Sequence, residues 1–599
     1  MKARFRHVKR YAVLTLSALL AGCASPPLRP EHAARGDYAY TRQYASWLIE
    51  REMKKHNVTG LSIALVDDQH VVWTQGFGYA DEARGIPATP DTVYRAGSIS
   101  KLFTASAAMQ LAEQGKLDID KPLRDYLPEF STRTRAAHSR PITPRNIMTH
   151  HSGLPSDWFK GMWSPHPEPF TQVVDEIRGQ YVATRPGIVF FYSNLGMTLL
   201  GHAVQEVSGE DFAPYMQRAL LQPLGMRHSA FALQAQGPFA SKAYRNGREV
   251  EDPPLRDMPA GGLNSSALDM SRFLEMVFAG GRSGEQQILK PETLAEMLRP
   301  QNADVPLDFD LRVGLGWMLS GLGGIDIRNA GPVAHHGGAT LMFHGQLIAL
   351  PEHKLGVVVL ANSASASAVV SKVATEALKL ALEAKTGIRQ PPPEQPAAQP
   401  PLAAAARQAY VGYYATPLGL AKVTDRLGQL RAEVMGKTFR LEPRADGGLG
   451  LAYRVLGLFP VSLGDLDQVT LRRASVVGHD VLVARSNGRD MLVGEKIAPE
   501  PLSQDWLRRL GDYEIVNAGD DAALPDNIHL RNEDGLLVAE YSLAAQPDVK
   551  VRLALAPVSP AAAVIRGLGR GMGGTFQMVT VNGEERALFS GLELRKKSQ

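Results

Sequence analysis

The sequence predicts two kinds of structure in one chain: helices mixed with hairpin-joined strands up to about residue 390, and strands almost alone beyond it. Three observations predict this. Stretches with apolar residues at helical spacing, near 40–55, 98–114, 194–209 and 368–384, alternate with short strand-like runs. Those runs come in pairs joined by short turns, 61–66 with 71–74 and 343–350 with 356–362. Gln390–Pro401 is then so rich in proline that it reads as an extended, semi-rigid linker.

Beyond the linker, Asp534-Gly535 and Asn582-Gly583 sit between apolar runs, the strongest short-range hairpin signals. Tyr410-Val-Gly-Tyr-Tyr414 and Leu510-Gly-Asp-Tyr-Glu514 open two stretches of similar length and pattern. They predict two related β units, 405–499 and 500–599, each a small barrel or sandwich. No group of residues in either unit predicts chemistry.

A chain of 599 residues is long enough for several domains and a large core. Its 44% apolar and 21% charged content is that of an ordinary globular protein. The net charge is only +4 and the basic residues are dispersed beyond the N-terminus, so no nucleic-acid partner is expected.

The N-terminus reads as an export signal. Lys2, Arg4, Arg6, Lys9 and Arg10 precede an apolar run, Tyr11 to Leu20, too short to span a bilayer. Leu20-Ala21-Gly22-Cys23 follows, and Cys23 is the only cysteine, so no disulfide can form within the chain. This resembles a bacterial lipoprotein signal. The resemblance implies removal of residues 1–22, lipid modification of Cys23, a membrane tether over 23–38, and a place in the cell envelope. Ala24 after the cysteine points toward the outer membrane, facing the periplasm. A soluble secretory protein with a chance cysteine is the alternative.

Three groups of residues carry chemistry. Ser98-Ile-Ser-Lys101 opens a helix that runs to Gln114; at i and i+3 the lysine amine lies beside the serine hydroxyl, which needs such a neighbour to become a nucleophile. Tyr192-Ser-Asn194 precedes a buried helix ending near Gly209. A phenol near an ammonium has its ionised form favoured and could accept, then return, a proton; the Asn194 carboxamide can bond a substrate amide. His336-Gly-Gly-Ala339 opens a strand whose glycines admit close approach of a ligand backbone, and whose histidine can donate to a substrate carboxylate or carbonyl. Each motif alone also fits a plain structural role: a helix cap, a buried tyrosine, a turn. His150, His151, His335 and His336 invite a metal reading, but adjacent side chains diverge and no acidic ligands accompany them, so no metal or other cofactor is expected.

In this order, Ser98-x-x-Lys101, Tyr192-x-Asn194 and His336-x-Gly338 resemble the serine β-lactamase and penicillin-binding-protein superfamily. The resemblance is to its class C-like branch of esterases, D-aminopeptidases, D-alanyl-D-alanine carboxypeptidases and β-lactamases. It covers Tyr40 to Ala384 and is supported by Leu127–Phe130, Thr149–Leu154, Pro223–Met226, Pro259–Leu263 and Gly314–Trp317. It implies an α+β fold over 39–388, an antiparallel sheet flanked by helices with an all-helical subdomain inserted after the Ser98 helix. A linker at 389–404 and a C-terminal all-β region, similar to the lipocalin-like appendages of some relatives, would follow.

The resemblance further implies that Ser98 is acylated, that Lys101 and Tyr192 share the proton, and that Asn194, His336, Gly338 and Ala339 bind substrate. The backbone N–H groups of Ser98 and Ala339 would form the oxyanion hole. The implied activity is hydrolysis of an ester or amide in a small molecule or peptide. Two departures stand out. His336 occupies the place of a Lys or Arg, which ranks esters and D-amino-acid peptides above β-lactams, and Leu341-Met-Phe343 replaces a common Pro-Gly-Phe. The competing expectation is an envelope protein that keeps the fold but acts as a sensor or scaffold; the intact Lys101 and Tyr192 argue against it.

Overall fold

The computed structural model describes residues 25–598 except 32–33, 321–324, 393–396, 456–458, 462 and 544–545. The expected leader and Cys23 lie outside the described residues. Among those described, no helix is long and apolar enough to cross a membrane.

Six strands form one antiparallel sheet in the spatial order Ala334–Ala339, His344–Leu350, Leu355–Ala361, Gly60–Asp67, His70–Asp81 and Ile86–Pro87. The two central strands read as nearly continuous apolar runs because both their faces are covered. Leu61, Ile63 and Leu65 pack with the helices Ala39–His56 and Ser367–Thr386, while Ala64 and Val66 pack with Ser100–Glu113 and Ala267–Phe278. The period of two in a strand sends alternate side chains to these two layers.

Between the Ser100–Glu113 and Ala267–Phe278 helices the chain builds the inserted subdomain. Its helix Pro144–Met148 starts from a capping box of Thr143 and Asn146. Its helix Asn194–Ser208 is capped by the Ser193 hydroxyl and ends at Gly209, which has φ +74°, the left-handed turn that glycine takes at least cost. Two short strand pairs, Thr132–Arg133 with Gln180–Tyr181 and Ala243–Arg245 with Arg248–Val250, accompany the helices.

The C-terminal region is two barrels. In the first, eight of the nine strands between Gly412 and Ile497 close on themselves, with Phe459–Val461 added as a flap on Leu449–Val455. In the second, eight consecutive strands from Gly511–Ile515 to Leu592–Lys596 close. Their openings repeat each other bond for bond. Gly412 and Gly511 have φ of +136° and +141°. The Tyr414 hydroxyl donates to Tyr410 O at 2.8 Å and the Tyr513 hydroxyl to Arg509 O at 2.7 Å. Lys496 Nζ donates to Ala409 O and Lys596 Nζ to Arg508 O, at 2.8 and 2.7 Å. The similarity of the two openings in sequence is therefore a similarity of folding units.

The barrels are docked on the first domain. Phe191, buried to 1% exposure, joins the core of the second barrel with Trp506, Tyr513, Leu537 and Met572. Asp521 accepts from the backbone N–H groups of Gly161 and Trp163 at 2.8 and 3.1 Å, and Ser590 Oγ accepts from Phe159 N at 2.9 Å. The 156–164 loop and the segment just before Tyr192 are thus both held from the C-terminal side.

Candidate active site

Ser98 lies in a single 3-10 turn, Gly97–Ile99, which leads into the Ser100–Glu113 helix. The turn is fixed by its neighbours. Gly97 has φ +54°, and a Cβ there would fall 2.5 Å from Ala339 N; a Cβ on Gly338 would fall 1.9 Å from Ala96 O. Main chain therefore touches main chain between the nucleophile turn and the Ala334–Ala339 strand, which glycine alone permits. Ser100 Oγ ties the turn down, donating to Gly97 O at 2.6 Å and accepting from Leu263 N at 2.9 Å.

Lys101 is fully buried, and its Nζ lies 3.1 Å from Ser98 Oγ, 2.7 Å from Asn194 Oδ1 and 2.7 Å from Ala260 O. Burial pulls its pKa well below the ordinary lysine value; the Arg570 charge acts in the same direction, and Asp157 and Asp257 oppose it. A neutral amine has two N–H donors and one lone pair. The two carbonyl oxygens can only accept, so in the unprotonated form they take the two N–H groups and leave the lone pair facing the Ser98 hydroxyl, whereas the protonated amine donates to Ser98 Oγ as well.

Tyr192 is hydrogen-bonded to Ser98, and Lys101 Nζ lies 5.0 Å from the centre of its ring. Burial pushes the phenol up to about 12, against the lowering effects of Arg570 and of the Ser98 hydrogen bond. This corrects the expectation of a favoured phenolate: desolvation outweighs the neighbouring cation, so Tyr192 keeps its proton and is placed to give it. His150 packs beneath the ring at 4.3 Å between centroids, with φ +59° and Nδ1 accepting from Ser193 N at 3.2 Å. Burial holds His150 well below the usual histidine value, so it supports the ring as a neutral group.

Asn194 is the first residue of its helix; its Oδ1 accepts from Lys101 and its Nδ2 donates to Asp157 Oδ1 at 2.6 Å. His336 is buried on the same wall, 6.3 Å from the Tyr192 ring between centroids. Its Nδ1 donates to Gly337 O at 2.6 Å, its Nε2 is buried with no partner, and burial lowers its pKa to about 3. The histidine expected to donate to a substrate is instead a neutral acceptor, because its one N–H is already spent on the backbone.

Four residues of the site were not singled out from sequence: Asp157, Asp257, Ala260 and Arg570. Ala260 sits inside the supporting Pro259–Leu263 stretch and acts through its carbonyl, which no side-chain pattern reveals. Arg570 overturns the expectation that the β units carry nothing chemical. Its guanidinium lies 4.9 Å from the Tyr192 ring centre, brought there by the second barrel. The dense glycine run Gly567-Leu-Gly-Arg-Gly-Met-Gly-Gly574 was its one visible signal.

A serine in reach of a buried lysine and a protonated tyrosine, between an antiparallel sheet and an inserted helical subdomain, defines a protein of the β-lactamase and penicillin-binding type. The chain belongs to the β-lactamase family, whose model, described as Beta-lactamase, matches residues 47–382; the family is generally one of serine hydrolases. Protein flp of Staphylococcus aureus is 25% identical over 338 residues, 54% of this chain and 63% of flp, so the chain spans less than two thirds of that relative. The putative penicillin-binding protein PbpX of Bacillus subtilis is 29% identical over 238 residues, 39% of this chain and 58% of PbpX. Among solved structures, SurE is similar with a TM-score of 0.54 at 25% identity, over 76% of this chain and 99% of that one. The octameric penicillin-binding protein homologue of Pyrococcus abyssi shares the fold with a TM-score of 0.50 at 24% identity, over 75% of this chain and 98% of that one.

Proposed function

We propose that the protein is an exported serine hydrolase that cleaves an ester or amide through an acyl-Ser98 intermediate. The observation that carries this is the placing of Lys101 Nζ 3.1 Å from Ser98 Oγ, with Asn194 Oδ1 and Ala260 O able only to accept, so that the unprotonated amine would turn its lone pair to the Ser98 hydroxyl. Ser98 Oγ attacks the carbonyl carbon while its proton passes to Lys101. The oxyanion so formed sits at the junction of Ser98 and Ala339, whose backbone amides would donate to it. Collapse breaks the bond to the leaving group, which takes the Tyr192 proton; the proton on Lys101 replaces it. Water then attacks the acyl carbon by the same route in reverse, and Ser98 recovers its hydrogen.

Short-acyl esters and D-amino-acid peptides are favoured over β-lactams, because His336 offers a neutral acceptor where relatives carry a cation. That SurE has a structure with D-Leu supports the second class. Envelope anchoring through a lipid on Cys23 is part of this proposal and is supported by the basic and apolar leader ahead of it.

A panel of nitrophenyl esters, D-alanyl anilides and nitrocefin tests the ranking, with turnover expected for the first two and little for the third. The pH dependence follows from the two proton positions. Lys101 accepts only when unprotonated, so kcat/KM falls as pH drops through a Lys101 pKa well below the ordinary lysine value. Tyr192 stays protonated to about 12, so no alkaline fall in rate is expected up to pH 10. A rate that begins to rise only near pH 10 contradicts the assignment of Lys101 as base.

A further inference from the structure

The Lys101 amine stands between two acceptors that come from different segments of the chain. Ala260 O belongs to a turn that opens at Asp257, whose backbone oxygen accepts from Ala260 N and Gly261 N at 3.0 and 3.1 Å. Asn194 Oδ1 is turned to Lys101 because its Nδ2 donates to Asp157, in the 156–164 loop. Asp157 and Asp257 are far apart in sequence, so the chain itself does not set the spacing of these two walls.

One side chain joins them. Arg256 is buried, and its guanidinium is used on every nitrogen. Nε donates to Asp257 Oδ1 at 2.8 Å, Nη2 to Trp158 O at 2.8 Å and Nη1 to Lys160 O at 2.5 Å. The Arg256 backbone N–H adds a bond to Met162 O at 3.0 Å. On the loop side, Glu176 Oε2 lies 4.0 Å from Nη1 and accepts from the Trp158 ring. The second barrel holds this loop from outside; Arg256 ties it from within to the other wall. A guanidinium is a rigid plane with donors in fixed directions, so it sets the distance between the groups it binds, whereas an ammonium is a point charge whose donors rotate.

We infer that Arg256 is a positioning residue for Lys101: its guanidinium fixes the spacing of the two walls and, through them, the directions of Asn194 Oδ1 and Ala260 O at the amine. The inference rests on the proposed hydrolase reading for the role of Lys101 and deepens it, since it says what keeps that amine aimed at Ser98.

The test follows the amine itself. Full-length protein is produced with carbon-13 at lysine Cε, and the Lys101 line, assigned by its loss in Lys101→Met, is titrated by NMR. The charged groups acting on Lys101 are Arg570, Asp157 and Asp257; Tyr192, His150 and His336 beside it are neutral. Arg256→Lys keeps the charge and loses the fork, so the walls loosen, water reaches the amine, and burial holds its pKa down less. The Lys101 midpoint is expected to rise by about one pH unit, and kcat/KM on its plateau to fall about 10²-fold, as for displaced reacting groups. Asp257→Asn keeps the oxygen that Arg256 binds and removes a negative charge acting on Lys101, so there the midpoint is expected to fall. Arg256→Gln combined with Asp257→Asn removes both charges, strands no buried ion, and is expected to raise the midpoint as Arg256→Lys does; it decides the matter where the single variant does not fold.

A midpoint unmoved by either Arg256 variant, or moved in the same direction by Arg256→Lys and Asp257→Asn, overturns the inference and leaves an ion pair that serves stability alone. Labelling of wild-type Ser98 by a fluorophosphonate reads the hydrolase proposal separately, since the titration needs no turnover. Expected midpoints without labelling remove only the hydrolase; labelling with unmoved midpoints removes only the role of Arg256.

Discussion

Lys101→Met is expected to lower kcat/KM for any accepted ester by a factor of about 10²–10⁴, the range that a positioned general base supplies. Methionine keeps the length and the apolar packing of the stem and removes only the amine, so the loss reports on the proton acceptor. The Ser98 hydroxyl would then face no base, since Tyr192 holds its proton up to about 12 and His150 and His336 sit beyond it around the ring. Asn194 Oδ1 and Ala260 O lose a donor at 2.7 Å each, which costs stability, while a buried amine no longer has to be desolvated, which restores some. Thermal unfolding should therefore move little beside the change in rate. If Lys101→Met keeps more than a tenth of the activity, the lysine is a scaffold and the proton goes elsewhere.

Gly338→Ala is expected to lower kcat/KM by about 10²–10³, with no catalytic side chain altered. The added methyl would fall 1.9 Å from Ala96 O and 3.2 Å from Ile99 Cγ1. Neither neighbour can yield alone, because Ala96 precedes the turn that carries Ser98 and Ile99 closes it. The strand must draw back by about an ångström, and it takes the Ala339 amide with it. A shift of that size costs about 10²-fold where reacting groups must be aligned, and losing one oxyanion donor costs about 2.7–4 kcal/mol. Gly337→Ala is the control: a Cβ there meets Gln346 Oε1 at 3.3 Å, a side chain that can give way, and Gly345 O at 4.0 Å, an ordinary van der Waals contact. Activity lost equally in both variants would contradict the steric argument, since only one of the two presses on the nucleophile turn.

What could be read from the sequence was local, and what could not was a matter of burial and of distance along the chain. Ser98 and Lys101 were legible because i and i+3 share a helix face, and that held even though Ser98 proved to lie in a 3-10 turn. The hairpin partners around Asp534-Gly535 and Asn582-Gly583 were legible because those dipeptides take the turn conformation that few others accept. The proton state of Tyr192 was not legible. A sequence shows that a cation and a phenol are present but not how far water is excluded, and here desolvation outweighs the charge. The His336 tautomer depends on a backbone carbonyl next to it, which composition cannot display. Arg570 lies in a different domain, and only the alternation of glycine with Leu568, Arg570 and Met572 hinted that its loop was shaped for a purpose.

The account stands on covalent chemistry at one serine, and trapping that bond tests it most directly. Wild-type protein is mixed with a slowly hydrolysed nitrophenyl ester, quenched in acid and digested, and the peptides are weighed. The prediction is an added acyl group on the peptide carrying Ser98, absent from Ser98→Ala and formed far more slowly in Lys101→Met. An acyl group on any other residue, or ester turnover with Ser98 replaced, would contradict it.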